Sequence, residues 1–254
     1  MLAQTRHTRI CALLETHREF TTQALQAELG VSAATLRRDL AHLERTGRLG
    51  RTHGGIVHPE ASFGEQSFSR KVRTAAAAKL AIAKQAAALV PSGASVFIDA
   101  GTTTLELGRM LLSRADLRLY TNSVPLLHEH GERAAQLIAV GGEVREVSQA
   151  LVGALTLSWL RQLRFDLVAI GASGLHHADG ASTTELGEAA VKQALVERGR
   201  RVLLLTDSTK WNRPAPICFA PWSRINDWVT DHSPSRAELA SLRRTSVTVH
   251  SVSR

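Results

Sequence analysis

Residues 31–55 constrain the fold more than any other stretch of the chain, because their leucines recur with the period of an α-helix. Leu36, Leu40 and Leu43 stand at positions i, i+4 and i+7, so a helix would carry them on one face. Gly47 stands just past the last turn, where helices commonly end. The stretch therefore predicts an amphipathic helix whose apolar face packs against a core.

The face of this helix opposite the leucines is small at its start and cationic after it. Ser32 stands at the expected N-cap, and Ala34 and Thr35 follow in the first turn. Arg38 lies on the same face, with Arg37 on its flank. Such a helix fits the major groove of DNA, where guanidinium groups reach base edges and phosphates. A solvated helix would also explain a pair of arginines, so the prediction depends on the surrounding sequence.

Two shorter helices are predicted before the basic helix. Ile10, Leu13 and Leu14 mark the first, and Leu25 and Leu29 mark the second. Helix, helix, tight turn and basic helix in this order predict a helix-turn-helix, which places its last helix in the major groove. The alternative is an ordinary three-helix bundle with a solvated polar face.

A short hairpin is predicted directly after the basic helix, because residues 48–55 combine basic side chains with glycines. It would form the wing of a winged helix, with Arg48, Arg51 and His53 as candidates for contact with DNA. The sequence thus predicts a winged helix-turn-helix DNA-binding domain over residues 1–57. The formal net charge of +8 is compatible with this, but a basic balance suits any acidic partner.

A second domain is predicted over residues 75–254, after an aperiodic stretch at 58–74 that we interpret as a linker. Short segments that are apolar throughout alternate there with helical segments. This pattern indicates an α/β domain with a largely parallel sheet covered on both faces. The predicted strands are 94–99, 117–121, 137–140, 166–170, 202–206 and 228–229.

Glycines, hydroxyl residues and charged residues follow these strands. In open α/β sheets the ligand binds at the carboxyl ends of the strands, where backbone N–H groups and a helix N-terminus can hold an anion. A carboxylate and an amide such as Asp99 and Asn122 suit sugar hydroxyls, and Lys210 adds a positive charge. The candidate ligand-binding residues from this pattern are Asp99, Gly101, Thr102, Thr103, Thr104, Asn122, Gly141, Gly142, Arg145, Gly171 and Lys210.

Each of these loops alone has a plain structural explanation. A threonine run can cap a helix, a glycine pair can form a turn, and a single lysine is usually solvated. Their recurrence at the ends of five consecutive strands favours a pocket for a small ligand that carries a phosphate.

Other classes of site are disfavoured by the cysteines and by the apolar runs. Cys11 and Cys218 offer neither a disulfide framework nor a metal spacing, so we expect no metal and no cofactor. The first residues lack the apolar core of a signal peptide, and no apolar run reaches the length of a membrane span. We therefore expect a cytoplasmic protein.

Family-level motifs run through nearly the whole chain. In the first part they are Val31-Ser32, Thr35-Leu36-Arg37-Arg38-Asp39-Leu40, Leu43, Gly47, Leu49, Arg51 and His53-Gly54-Gly55. In the second part they are Asp99-x-Gly-Thr-Thr-Thr, Thr121-Asn122-Ser123, Gly141-Gly142-x-x-Arg145, Gly153, Phe165-Asp166, Gly171-Ala172-Ser173-Gly174, Thr183-Thr184, Glu188-Ala189, Val191-Lys192 and Asp207-Ser208-Thr209-Lys210. With these residues the chain resembles the DeoR family of bacterial transcription regulators.

The resemblance implies a fold shared with ribose-5-phosphate isomerases and CoA-transferases, and an effector that is a phosphorylated sugar. It further implies a repressor of a carbohydrate-metabolism operon that binds double-stranded operator DNA as a homo-oligomer. The chain departs from the family at Trp211, where a phenylalanine is expected, and in a segment before Glu188 that is one residue short. Glu188 is for that reason the acidic effector-binding candidate, in preference to Glu185.

Two rival functions remain open at this point. An isomerase-like enzyme would need a carboxylate base near a substrate C–H bond, and Asp99, Glu188 or Asp207 could serve. The loop after the fourth predicted strand contains no acidic residue before Asp179, so we expect no catalysis. The other rival is a constitutive DNA-binding protein whose second domain only dimerises it.

Overall fold

The computed structural model describes residues 2–17, 19–46, 48–52, 54–57, 66–131 and 134–253. The chain divides into two compact units, Met1–Arg73 and Thr74–Arg254.

The N-terminal unit combines helices with a small antiparallel sheet. Its three strands are β1 (Glu19–Thr21), β2 (Gly50–Thr52) and β3 (Gly55–Val57). They lie in the order β1-β3-β2, and β2 with β3 forms the predicted wing hairpin. The short strand β1, which extends the wing, was not predicted. The elements of the unit are α1 (Ala3–His17), β1 (Glu19–Thr21), α2 (Thr22–Leu29), α3 (Ala33–Arg45), β2 (Gly50–Thr52), β3 (Gly55–Val57) and α4 (Phe68–Arg73).

The core of this unit is built from the residues that the helical periodicity selected. Leu36, Leu40 and Leu43 are buried along one face of α3. They pack with Ile10 and Leu14 of α1 and with the leucines of α2. Fully burying a side chain of this size stabilises the folded state by about 1.5–3 kcal/mol, so this cluster fixes the orientation of α3.

The turn between α2 and α3 is set by its two caps. Gly30 ends α2 in the left-handed conformation with φ +62°, which glycine adopts without steric cost. Ser32 caps α3, since its hydroxyl oxygen accepts a hydrogen bond from the Thr35 N–H at 3.3 Å. Gly47, predicted to follow α3, lies outside the described residues.

The C-terminal unit alternates strands and helices. Its first half contains α5 (Ala76–Ala87), β4 (Ser95–Ile98), α6 (Thr102–Leu111), β5 (Arg118–Thr121), α7 (Val124–His128), β6 (Gln136–Ala139), β7 (Glu143–Arg145), β8 (Ala150–Val152) and α8 (Ala154–Gln162). Its second half contains β9 (Leu167–Ile170), β10 (Gly174–His176), β11 (Gly180–Thr183), α9 (Leu186–Arg198), β12 (Val202–Leu205), β13 (Ile217–Ala220), β14 (Asp227–Thr230), α10 (Arg236–Arg244) and β15 (Thr248–Ser251).

A seven-stranded parallel sheet forms the centre of this unit, in the order β15-β14-β12-β9-β4-β5-β6. All six predicted strands belong to it, and the fold class is confirmed. Both faces are covered, since Val202 and Leu204 join the cluster around α9 while Leu203 and Leu205 between them are buried as well.

Two parts of this architecture were not predicted. One is the edge strand β15, and the other is a pair of small antiparallel sheets, β10-β11-β13 and the hairpin β7–β8. In addition, α4 occupies the last residues of the stretch interpreted as a linker.

The helices of the C-terminal unit lie in two groups. Helices α5 and α6 pack against each other and against strands of the main sheet. Helices α8 and α9 form the other pair, and α9 also contacts β9 and β13. The carboxyl ends of the strands thus lie beside the first turns of α6 and α9.

Candidate functional site

The outer face of α3 is the candidate nucleic-acid interface of the N-terminal unit. Ala34, Arg37 and Arg38 are exposed there, opposite the buried leucines. The hydroxyls of Ser32 and Thr35 lie 2.9 Å apart and complete the N-terminal cap. The structure therefore presents two guanidinium groups beside a small first turn, which is the arrangement the sequence predicts.

A partly buried ion pair holds α3 on α1. Arg6 donates to both carboxylate oxygens of Asp39, at 2.7 and 3.1 Å, and the Nε2 of His7 lies 2.9 Å from the same carboxylate. Burial acts to raise the pKa of the Asp39 carboxyl, but the bonds from Arg6 and His7 outweigh it and hold that pKa below its ordinary value. Because Asp39 follows Arg38 directly, this clamp fixes the helix that carries the arginine face. The sequence analysis assigned it no role.

The described basic residues of the wing lie close to side chains of α1 and α3. Arg48 is exposed and lies near Cys11 of α1; burial raises the pKa of the Cys11 thiol, and Arg48 opposes that shift. Arg51 is exposed on β2, with its Nε 3.6 Å from a carboxylate oxygen of Glu44. His53 lies outside the described residues.

Asp99 lies at the centre of the candidate site in the C-terminal unit. Its buried carboxylate follows β4, forms an ion pair with Lys192 of α9, and accepts the Gly171 N–H at 3.2 Å. Lys192 also donates to the carbonyl of Gly171 at 3.1 Å. Burial raises the pKa of the Asp99 carboxyl, and both Lys192 and the Gly171 N–H act in the opposite direction. The loops after β4 and β9 are joined by these bonds.

The threonine run starts α6 in the predicted position. Thr104 is buried, and its hydroxyl donates to the carbonyls of Asp99 at 2.6 Å and Gly101 at 3.0 Å. Thr103 is buried and Thr102 is half-buried, and no described side chain caps the helix. The first turn of α6 thus keeps the free N–H groups that attract an anion, while Thr104 shapes the loop.

Both polar atoms of the Asn122 side chain form hydrogen bonds with backbone groups. Its Oδ1 accepts the Ala100 N–H at 2.8 Å and its Nδ2 donates to the Leu151 carbonyl at 3.4 Å. The side chain is buried, so it joins the ends of β4 and β5 to the β7–β8 hairpin. It positions the candidate site, where the sequence suggested a contact with sugar hydroxyls.

A second cluster of charged side chains lies at the start of α9. Arg145 of β7 donates to Glu188 and to the Ser148 hydroxyl, at 3.0 and 3.1 Å. Thr183 donates to the other oxygen of Glu188 at 3.1 Å. Glu185 caps α9 by accepting backbone N–H groups, and it lies 3.7 Å from the Nε of Arg145. The structure brings Arg145 and Glu188, two of the residues predicted for the site, into contact.

The glycine pair after β6 allows a close approach to α8. Gly142 has φ +145°, and a Cβ there would lie 2.0 Å from the Thr156 hydroxyl oxygen. That hydroxyl donates to the carbonyl of Gly141 at 2.7 Å. Gly142 therefore has a packing role, and both glycines lie at the carboxyl end of the sheet.

Lys210 lies at the same end of the sheet, in a short 3-10 helix after β12. Asp207 caps this helix, and Ser208 is tied to Asp231 by two hydrogen bonds. Trp211, next in the chain, stacks on Trp228 with ring centroids 4.8 Å apart. The loop that carries Lys210 is therefore fixed on both sides of the lysine.

Lys192, Thr183 and Ser148 are the site residues that the sequence analysis did not select. A signal for Lys192 existed, since Glu188 and Lys192 stand at i and i+4 and share one face of α9. Their partners Arg145 and Asp99 lie 43 and 93 residues away in sequence. The described parts of the chain hold no cluster of side chains suited to a metal ion and no helix able to cross a membrane.

Comparison with known proteins agrees with this two-part organisation. Residues 6–62 match the family model described as "DeoR-like helix-turn-helix domain", and residues 74–232 match "DeoR C terminal sensor domain". Among solved structures, ribose 5-phosphate isomerase A from Methanocaldococcus jannaschii is 16% identical, with a TM-score of 0.40, over 52% of this chain and 53% of that chain.

Curated relatives align over nearly the full length. The "HTH-type transcriptional regulator GlpR" of Haloferax volcanii is 35% identical, covering 95% of this chain and 96% of the relative. The "Glycerol-3-phosphate regulon repressor" of Escherichia coli is 30% identical over 90% of this chain and 91% of the relative. The "L-fucose operon activator" of the same organism is 32% identical over 87% and 92%. The protein belongs to the DeoR family of DNA-binding transcription regulators.

Proposed function

We propose that this protein represses a carbohydrate-metabolism operon and is released from its operator by a phosphorylated sugar. The observation that carries the proposal is the exposed arginine face of α3, held by the Asp39 clamp, in a chain whose other unit is a sensor domain. A relative named "Glycerol-3-phosphate regulon repressor" supports the repressor sign of regulation, and the first turn of α6 with Lys210 supports a phosphorylated ligand.

The operator-binding surface that we propose consists of α3 and the wing. Arg37 and Arg38 would contact bases and phosphates from the major groove, and the wing would contact the backbone. Ser32 and Thr35 would act mainly by shaping the first turn, since their hydroxyls are occupied by the cap. The full proposed set is Ser32, Ala34, Thr35, Arg37, Arg38, Arg48, Arg51 and His53.

The effector site that we propose lies at the carboxyl ends of the strands. The phosphate would bind at the first turn of α6, with Lys210 supplying charge, because helix N-termini and ammonium groups both attract phosphate. Arg145 and Glu188 would meet the sugar end, and Asp99 and Asn122 would hold the loops in place. The proposed set is Asp99, Gly101, Thr102, Thr103, Thr104, Asn122, Gly141, Gly142, Arg145, Gly171, Glu188 and Lys210.

We further propose that the chain is not an enzyme. The three carboxylates that could act as a base are all engaged: Asp99 by Lys192, Glu188 by Arg145 and Thr183, and Asp207 by Thr209. Proton abstraction needs a carboxylate within reach of the substrate C–H bond, and these partners compete for the same oxygens. Incubation with aldose and ketose phosphates should give no interconversion, and measurable turnover would refute this.

A thermal-shift screen of the purified protein tests the effector class. Phosphorylated sugars should raise the melting temperature because they bind only the folded state, and their unphosphorylated counterparts should not. Equal shifts with both would remove the phosphate from the proposal. DNA binding is tested independently by letting the same protein select duplexes from a pool of random sequences. A failure to enrich any sequence would refute the operator-binding role.

A further inference from the structure

Several large apolar side chains are exposed on α8, at the start of α9 and on the β7–β8 hairpin of the C-terminal unit. Leu155 and Trp159 of α8 are 57% and 50% exposed, and Leu186 at the start of α9 is 72% exposed. Val144 and Val147, at the hairpin of β7 and β8, are exposed as well. In the described part of this unit, Leu80 of α5 is the remaining large apolar side chain with comparable exposure. We call Val144, Val147, Leu155, Trp159 and Leu186 the apolar patch.

The topology brings the members of the apolar patch to one edge of the sheet. The hairpin leads directly into α8, and α8 packs beside α9. Both helices begin at the carboxyl edge, because each leads back to the start of a parallel strand. Leu155 and Trp159 stand at i and i+4 on the outer side of α8, since Thr156 and Leu160 are its buried residues. A concentrated exposed patch of this kind is typical of a protein interface.

Charges around the apolar patch indicate what covers it. Glu143 and Glu146 are exposed on the hairpin, before α8, while Arg161 and Arg164 are exposed at and beyond its far end. If two copies of α8 crossed antiparallel about a twofold axis, the acidic end of each would face the basic end of the other. Leu155 and Trp159 would then lie at the axis, against the same residues of the second copy.

We propose that the apolar patch is the surface on which a second copy of this chain packs. The choice of partner rests in part on the proposed function, because one winged helix reads a single half-site and a second copy must hold the other at a fixed spacing. The location of the interface rests on a separate argument, because the patch is apolar and the charges on either side of it would pair with those of a second copy.

Sedimentation of the full chain tests this proposal. The wild-type protein should sediment as a dimer or larger assembly, and Trp159→Glu should shift the mass toward a single chain because it places a charge at the apolar centre. Leu80→Glu adds the same charge to an exposed apolar position on α5 and should leave the assembly intact. Matching far-UV circular dichroism spectra for the two variants would show that folding is not the cause.

Three results would overturn the proposal: a monomeric wild-type chain, an unchanged mass in Trp159→Glu, or equal dissociation of both variants. Quenching of tryptophan fluorescence by acrylamide gives a second measurement. The quenchable fraction that disappears in Trp159→Phe should become protected as the protein concentration rises, and a Trp159 signal that stays equally quenchable at all concentrations would contradict the interface. Neither readout depends on DNA or sugar phosphate, so a failure here is distinct from a failure of the proposed function.

Discussion

At the scale of single residues, Arg38 is the side chain whose removal should separate DNA binding from folding. It is exposed on α3, and an arginine bound to guanine or to a phosphate contributes about 1–3 kcal/mol. Arg38→Ala should therefore weaken operator binding at least several-fold in a mobility-shift assay, with an unchanged melting temperature. Arg118→Ala removes an exposed charge from the sensor domain and should bind like the wild type.

Leu40 gives the opposite outcome on the same helix. It is buried in the core of the N-terminal unit, and truncating a buried leucine to alanine costs about 2–5 kcal/mol. Leu40→Ala should lower the denaturant midpoint of this unit, and DNA binding should fall only through the loss of folded protein. A variant that kept full stability would contradict the assignment of Leu40 to the core.

Lys210 should determine the preference for phosphate. Lys210→Ala removes the ammonium group from a loop that Asp207 and Asp231 hold in place, so the loop should survive the change. Calorimetry should show most of the preference for a phosphorylated sugar over the plain sugar lost, while Lys84→Ala, at an exposed lysine on α5, should leave it unchanged. An intact preference in Lys210→Ala would exclude Lys210 from the site.

At the scale of elements, the clamp between α1 and α3 should make the stability of the N-terminal unit depend on pH. The pKa of Asp39 is held below its ordinary value of 3.8, so the folded state favours the ionised carboxylate. This stabilisation is fully present above that value and is lost as the pH falls through the lowered pKa. The stability difference between wild type and Asp39→Asn should be largest near neutral pH and should shrink in acid. A difference independent of pH would contradict the clamp.

The helices and strands differ in how far the local sequence predicts them. Helix α3 was predictable because its leucines follow the helical period and Ser32 caps it, and most strands of the central sheet were predictable because each is a short apolar run. The hairpin of β7 and β8 has three residues in each strand, too few for a period to be recognised. The edge strand β15 was missed for a related reason, because Thr248, His250 and Ser251 interrupt its apolar character.

The sequence indicated which residues of the candidate site stand at strand ends, but it did not indicate which side chains they contact. Asp99, Asn122 and Arg145 could be placed at strand ends from the pattern alone. Their partners could not be placed, because the ion pair of Asp99 with Lys192 depends on how α9 packs across the sheet. Asn122 shows the same limit, since its amide is consumed by two backbone groups that only the folded chain brings near.

At the scale of the whole molecule, operator and effector should oppose each other. Effector can shift DNA affinity only by its differential affinity for the two states, and such coupling is typically about 1–3 kcal/mol. Saturating sugar phosphate should thus weaken operator binding roughly 5- to 150-fold, and operator should weaken effector binding by the same factor. Titration in both directions measures both numbers, and unequal factors would show that other equilibria intervene.

The stretch at 58–74 that the sequence analysis interprets as a linker should carry this coupling. Replacing residues 58–65 with a Gly/Ser sequence of equal length keeps α4, the Ser67 carbonyl that accepts backbone hydrogen bonds from it, and the core residues of the winged helix. A flexible linker transmits little orientation, so the variant should bind operator and effector separately while the effector loses its influence on operator affinity. Retention of the full wild-type factor would mean that the signal does not pass through this segment. Tighter operator binding in the presence of effector, in either protein, would replace the repressor–inducer mechanism with co-repression or activation.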